Sequence, residues 1–452
     1  MSVYDCVPLF NELDILELRL RELSPVVDYF VIVEAMTTHK GDRKPLHYAE
    51  SAARFKEWHG KIIHIVVADM PDGDGLAAIR RREMWQRNAI VRGLAGAKDD
   101  DMVLISDADE IPRASAIPHL APWLVEHDGS IITFVQKLYY YNLNTHAPDR
   151  PWPGTRAARA ADVRALTPHI IRNGMGQPDA HYPHHARMDN AGWHFSYFGD
   201  AEHIRTKQTQ FLHQELVTED NTDLDTIRAR VAAGVDIWGR EHEQRFVIGP
   251  ADDLPAPILS DPMRWRHLFA PGWEPEYHED WYSGAQALYM ASLAQQSPQS
   301  GAIVEIGCWE GRSTVALAQV VAPRAVHCVD HWQGNPDEGD EHPATIAAFE
   351  RDVFATFVVN MERMTAGNWA HSVHDWRDWI TEWDQPIAFV HIDAAHDYAS
   401  VRDCITALRP YLVPGAILCG DDGYAEPVWD AVRDTLPGAE IVGKRLWVWR
   451  ND

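Results

Sequence analysis

The chain is short of positive charge. It holds 41 Lys and Arg against 67 Asp and Glu, a formal net charge of -26. That balance argues against a nucleic-acid backbone or an anionic membrane surface as a partner. Cysteine is also scarce: Cys6, Cys308, Cys328, Cys404 and Cys419 lie far apart and form no CxxC. A disulfide framework and a thiolate metal site are therefore not expected, and three of the five sit in apolar strand-like runs, where they read as reduced core residues. No apolar run approaches the roughly 20 residues of a membrane span. Asp5, Glu12, Asp14 and Glu17 stand where a secretory signal would be apolar, so the cytoplasm is the expected location. Glycine is missing from the first strand-to-helix turn, so no dinucleotide fingerprint stands there.

What is present is length and apolar patterning. At 452 residues the chain is expected to form two or three domains, and 46% hydrophobic against 24% charged residues suffices for packed cores in each. The 18 Trp are numerous; aromatic faces stack on sugar rings, but most serve as core. The first half reads strand, helix, strand, strand, helix, strand, an α/β pattern. Val3 to Phe10 is a strand, and Asn11 is placed to cap a helix running to about Leu23. Tyr29–Glu34 and Lys61–Val67 are strands, and Leu76 to Leu94 is a helix. Met102-Val103-Leu104-Ile105 is apolar on both faces, as a buried parallel strand is, and runs into Ser106-Asp107-Ala108-Asp109-Glu110. Ligands of open α/β sheets sit at the carboxyl ends of the strands, which is where Asp107 and Asp109 fall. Asp-x-Asp there suits a hard divalent cation that clamps a diphosphate.

Five blocks carry a resemblance: Tyr4–Asp14, Phe30–Ala35, Gln86-Arg87-Asn88, Ser106–Pro112 and Ala191–Tyr197. In that order they resemble glycosyltransferase family 17, the family of the bisecting β-1,4-N-acetylglucosaminyltransferase, over residues 3 to about 270. The resemblance implies a GT-A fold and inverting transfer from a nucleotide sugar, most simply a UDP-sugar, to a glycan or glycoside acceptor. Asp109 would bind Mn²⁺ or Mg²⁺, Asp107 the metal or the donor ribose, and His194 is a candidate further ligand. Lys207 would reach a phosphate, and Asn11, Glu34, Arg87 and Asn88 would shape the nucleotide pocket. Inversion needs a carboxylate to deprotonate the acceptor; Glu215 is the candidate, with Asp189, Asp200 and Glu110 as rivals. The segment from Asn144 to Asp189 is the expected acceptor site.

Prolines thicken between about 247 and 275, which reads as a semi-rigid arm ending a first domain at 270. A second domain is expected over 276–452. There Ala302–Ile306 is a strand that leads through Gly307-Cys308-Trp309-Glu310-Gly311 into a helix that Ser313 is placed to cap. The next strand closes on Asp330, suited to ribose hydroxyls. Glu305-x-Gly307-x-x-x-Gly311 with that acid resembles the class I S-adenosylmethionine methyltransferases, whose domain is Rossmann-like. A dinucleotide site is the alternative, although the glycine spacing departs from GxGxxG. By the same resemblance Glu305, Gly307, Cys308, Gly311, Ser313, Asp330 and Asp375 would bind S-adenosylmethionine. Asp393-x-x-His396 followed by Asp421-Asp422 looks like the metal-dependent sugar O-methyltransferases of the macrocin and mycinamicin type. That likeness implies Mg²⁺ on Asp393, Asp421 and Asp422 with His396 as base. Methyltransferases of this type are often oligomers, so a homo-oligomer is an expectation.

The whole reads as a bifunctional enzyme of glycan assembly that transfers a sugar and O-methylates a sugar. The alternatives are that one domain is an acceptor-binding or scaffold module, or that the methyltransferase acts on an unrelated small molecule.

Overall fold

The structure is a computed structural model that describes residues 1–127, 129–173, 185–210, 214–240 and 246–451. Part of the expected acceptor segment, residues 174–184, lies outside the described residues. The chain forms two compact units, Met1–Gly249 and Pro250–Asp452. The division falls before the boundary expected at 270. The proline-rich residues after Gly249 fold into the second unit: the Ala251 N–H donates to the Arg363 carbonyl at 2.8 Å, and the Leu254 N–H to Gln319 Oε1 at 3.1 Å. Among the described residues no helix is long and apolar enough to cross a membrane.

In the first unit, Ile62–Val67, Tyr29–Ala35, Val3–Leu9 and Met102–Ile105 lie side by side as parallel strands. The sheet continues through Trp152–Arg159 and Ile131–Tyr140, each antiparallel to its neighbour. Both faces of the parallel part are covered, which explains its uninterrupted apolar runs. Leu16, Leu20 and Leu23 of the helix Leu13–Leu23 pack with Val7, Leu9, Phe30 and Ile32 on one face. Ile90 and Leu94 pack with Val31, Val33 and Ile105 on the other. The expected helix from 76 to 94 is two, Gly75–Asn88 and Ile90–Gly93. Asn11 does not cap the helix Leu13–Leu23: Glu12 stands at its start, and Glu12 Oε2 accepts the N–H of Asn11 at 3.1 Å.

The second unit is one seven-stranded sheet. Trp369–Val373, Val326–Asp330, Ala302–Ile306, Ile387–Ile392 and Leu412–Gly420 run parallel, and Leu446–Arg450 and Glu440–Val442 close it antiparallel. This is the expected Rossmann-like arrangement. The strand order reverses between Ala302–Ile306 and Ile387–Ile392, so a crevice opens at their carboxyl ends. All five cysteines are free and buried.

Candidate active sites

In the first unit a cavity of about 230 Å³ opens at the carboxyl ends of the parallel strands. Leu9, Thr38, Arg87, Asp107, Asp109 and Lys207 are in its wall. The acidic turn is held from beneath by Arg19, a fully buried residue on the helix Leu13–Leu23. Arg19 binds both carboxylate oxygens of Asp5, at 2.6 and 2.5 Å, and donates to Ser106 Oγ at 2.9 Å and to the Glu110 carbonyl at 2.6 Å. A side chain so constrained fixes where Asp107 and Asp109 emerge.

Each acid of the turn has its own cation. Arg87 Nη1 donates to Asp107 Oδ1 at 2.8 Å. Burial raises the Asp107 carboxyl, but Arg87 and then Arg172 bring it below its ordinary value. Lys207 Nζ donates to Asp109 Oδ2 at 2.7 Å, and His194 Nε2 lies 3.6 Å from Oδ1. Burial opposes the Asp109 charge, yet Lys207 and then His194 hold the carboxyl well below the usual carboxylate range. As placed, these acids do not form a metal nest. Among the described residues no three metal-type donors gather in this cavity.

Of the other expected residues of this half, His194 stands beside Asp109 and the rest do not line the cavity. Glu34 is fully buried and spends its carboxylate on the Tyr48 N–H at 3.0 Å and on His64 Nε2 at 3.0 Å. Asn88 Oδ1 accepts the His169 N–H at 2.9 Å, tying two helices. Neither residue lines the cavity, nor does Asn11. His194 packs its ring on Trp152, centroids 4.6 Å apart, beside Asp109. Glu215 is exposed on a short turn away from the cavity wall, and its rivals Asp189 and Asp200 are exposed too. Glu110 is fully buried under Trp152 Nε1, Arg172 and the Asp107 N–H. Sequence reading missed Arg19 and Arg172. Arg19 could have been found as a charge beside the leucine stripe of an amphipathic helix, with Asp5 available to pair it.

The second unit holds a larger cavity of about 690 Å³, at the point where the strand order reverses. Its floor is the glycine loop. Gly307 has φ +84°, and a Cβ there would lie 1.8 Å from the Asp393 carbonyl oxygen, so only glycine fits. Gly311, at φ +82°, stands at the start of the helix Arg312–Val321, so Ser313 lies within the first turn and does not cap it. Asp330 reaches into this cavity but is already engaged: it accepts the N–H groups of Cys308 at 2.8 Å, Trp309 at 3.0 Å and Trp332 at 2.7 Å. Its first effect is to fold the loop that would receive the cofactor. Asp375 caps the helix Trp376–Glu382 through the Arg377 N–H at 2.8 Å and lines the cavity as well. Glu305 does not line it. Its carboxylate is buried against His391 Nδ1 at 2.8 Å, and His391 Nε2 is 3.1 Å from the Tyr282 hydroxyl.

At one wall Asp393, His396 and Asp422 bring ligand atoms within 4.8 Å of one another. His396 Nε2 lies 2.9 Å from Asp422 Oδ2. Burial, then the neighbouring Asp421, push the Asp393 carboxyl up to about 7. Burial opposes the charge on His396, but the Asp422 hydrogen bond and the charges of Asp422, Asp393 and Glu338 together outweigh it and push the imidazole up to about 9. A divalent cation would relieve the raised Asp393, and Asp422, lowered by His396 against its burial, is a ready carboxylate, so these residues fit one. Asp421 is the exception. Its carboxylate faces away, accepting from Arg445 Nε at 2.8 Å and from Gln286 Nε2 at 2.9 Å.

The two units share a layout, each with its cavity at the carboxyl edge of a parallel sheet. The chain belongs to glycosyltransferase family 17, whose family model matches residues 1–244. A second family model, described as a methyltransferase domain, matches residues 304–423. The chain is similar to the β-1,4-mannosyl-glycoprotein 4-β-N-acetylglucosaminyltransferases of Rattus norvegicus and Homo sapiens, each 30% identical over 120 residues. The match covers 25% of this chain and 22% of each relative, so the chain aligns with about a fifth of the length of the curated relatives it matches. Among solved structures, the O-methyltransferase NovP is 16% identical at a TM-score of 0.30, with 43% of this chain and 88% of that one covered. CalS11, a TDP-rhamnose 3'-O-methyltransferase, is 21% identical at a TM-score of 0.27, with 37% and 79% covered.

Proposed function

We propose that the chain assembles a methylated glycan by two transfers. The first unit, of GT-A type, moves a sugar from a UDP-sugar to a glycan or glycoside hydroxyl with inversion. The second methylates a sugar hydroxyl with S-adenosylmethionine. The observation that carries the second reading is the meeting of Asp393, His396 and Asp422 on the wall of the cavity whose floor is the Gly307–Gly311 loop.

In the first unit Arg87 and Lys207 stand beside the acidic turn, where positive charge offsets what develops on a leaving diphosphate. In the second, Mg²⁺ bound by Asp393 and Asp422 would lower the pKa of an acceptor hydroxyl. His396 Nε2 takes the hydroxyl proton. The oxygen attacks the methyl carbon in line; the C–O bond forms as the S–C bond breaks, and S-adenosylhomocysteine leaves. Joining the halves raises the effective concentration of one product at the other site, to about mM where the geometry allows both to engage.

The test offers the full-length protein with Mn²⁺ and Mg²⁺ a panel of nucleotide sugars, with and without S-adenosylmethionine, and reads products by mass. Transfer from one donor, abolished by Asp109→Ala, supports the first reading. A methyl on that same product, lost in His396→Ala, supports the second. Tight S-adenosylmethionine binding with no sugar transfer from any donor would reduce the first unit to an acceptor-binding module.

A further inference from the structure

Glu338 belongs to none of the motifs that pointed to the methyltransferase site. It ends a short turn, Pro336–Glu338, between the strand Val326–Asp330 and the helix Pro343–Glu350. Its carboxylate is nonetheless aimed at the proposed base. Glu338 Oε1 accepts the main-chain N–H of His396 at 2.9 Å and faces His396 Nδ1 at 3.0 Å. Asn335 Nδ2 donates to the same oxygen at 3.3 Å. One oxygen thus grips both the backbone and the ring of His396, so the ring cannot turn without breaking a bond that the main chain holds in place.

The chemistry of that grip is directional. Each ring nitrogen faces a carboxylate, Nδ1 that of Glu338 at 3.0 Å and Nε2 that of Asp422 at 2.9 Å, and a carboxylate only accepts, so the charged ring donates to both. The Glu338 oxygen is fixed by the His396 main-chain N–H, whereas Asp422 is the carboxylate a cation would take, so the neutral ring keeps its proton on Nδ1 and Nε2 is its basic nitrogen. Nε2 is the nitrogen that faces Asp422. His342 Nε2 lies 3.6 Å from the other oxygen of Glu338, beyond hydrogen-bond distance. His342 Nδ1 accepts the Ala344 N–H at 3.3 Å, which turns Nε2 toward Glu338. Glu338, His342 and His396 come within 4.8 Å of one another, as metal ligands do. A cation among them would require His396 Nδ1 to shed the proton that Glu338 accepts.

We propose that Glu338 is a positioning residue for the methyl transfer, holding His396 as the Nδ1–H tautomer with Nε2 turned to the acceptor hydroxyl. The proposal rests on the reading of His396 as the base. Its reach beyond that reading is a carboxylate–imidazole pair supplied by a loop remote in sequence, acting as an orienting acid acts on a catalytic histidine.

The test uses full-length protein with ¹⁵N-labelled histidine, Mg²⁺ and S-adenosylhomocysteine, at alkaline pH where the ring is neutral. The His396 signals are identified by their loss in His396→Ala. The expected result is the Nδ1–H tautomer in the wild type and in Glu338→Gln, whose amide oxygen accepts the same two bonds. Glu338→Ala should lose that preference while its Mg²⁺ and S-adenosylmethionine affinities stay as in the wild type, which also certifies its fold. Methyl transfer to the product of the donor panel should fall about 10- to 100-fold in kcat in Glu338→Ala, with KM for S-adenosylmethionine unchanged, and should largely return in Glu338→Gln. An Nε2–H tautomer in the wild type, or a Glu338→Ala protein with wild-type tautomer and kcat, overturns the proposal. Full methyl transfer by His396→Ala would instead overturn the base assignment on which it rests.

Discussion

Asp421 and Asp422 are consecutive residues that share the Arg445 guanidinium and differ in their other partners. Asp421 gives its carboxylate to Arg445 Nε and Gln286, whereas Asp422, at φ +54°, keeps one oxygen 3.2 Å from Arg445 Nη2 and turns the other to His396. On the proposed reading the acidic pair is one ligand and one anchor, and the two should respond differently to the same change. Asp422→Asn is expected to weaken Mg²⁺ binding by tenfold or more, on the order of one lost charged ligand. Asp421→Asn should cost less. Isothermal titration of Mg²⁺ into the full-length variants decides it, and equal losses would mean that Asp421 leaves Arg445 to join the cation.

The salt bridges of the first cavity predict coupled binding. Lys207 and Arg87 hold Asp109 and Asp107, so a cation alone must displace an ammonium or a guanidinium. A diphosphate would attract both basic groups and free the carboxylates. Thermal shift with Mn²⁺ alone should be small, and with Mn²⁺ and UDP together larger than the sum of the two. Lys207→Ala should weaken UDP binding and strengthen the response to Mn²⁺ alone. Additive shifts in the wild type would refute the exchange.

Arg19 is expected to matter for stability before chemistry. Its removal leaves Asp5 buried without its partner and the Glu110 carbonyl with the longer Thr155 hydroxyl bond in place of the guanidinium. Arg19→Ala should destabilise the first unit by about 3–5 kcal/mol, as breaking a buried pair does. Urea unfolding followed by tryptophan fluorescence measures this; a loss under about 1 kcal/mol would show that the acidic turn holds without its support.

His39 sets an acid limit on the first unit. Its Nε2 lies 2.9 Å from Gln86 Oε1, and burial, only partly offset by Glu83 and Gln86, lowers its pKa from the ordinary 6.5. Above that value both folded and unfolded chains carry the neutral ring, and the stability is fully present. Below it the unfolded chain gains a proton that the folded one resists, so stability falls until the folded pKa is passed. Calorimetric melting across pH about 5 to about 7.5 should show this decline, and His39→Gln should flatten it. An equal slope in both proteins would assign the decline to other groups.

Residues that announce themselves by local pattern were legible in the sequence. Met102–Ile105 is apolar because helices cover both faces of its sheet, and the run ends in Asp107 and Asp109 at the mouth of a cavity. Gly307 and Gly311 were likewise readable, because only glycine fits their geometry. What the sequence hid was direction. Glu34 and Glu305 stand near strand ends as site acids do, yet each points into a core against a histidine. Partners far apart in the chain were hidden as well: Arg19 with Glu110, Glu338 with His396 and Arg445 with Asp421 meet only through the fold. No spacing rule reports such meetings.

The place where the chain divides bears on how its halves can be produced apart. A boundary drawn by the prolines, near 270 or 275, would cut away residues whose main chain is bonded to Arg363 and Gln319. It would also remove Ile258 and Trp265, both buried. A half-molecule begun there would expose apolar surface that the intact protein covers, and would invite aggregation and proteolysis that an assay could misread as lack of catalysis. Separate halves should end at Gly249 and begin at Pro250.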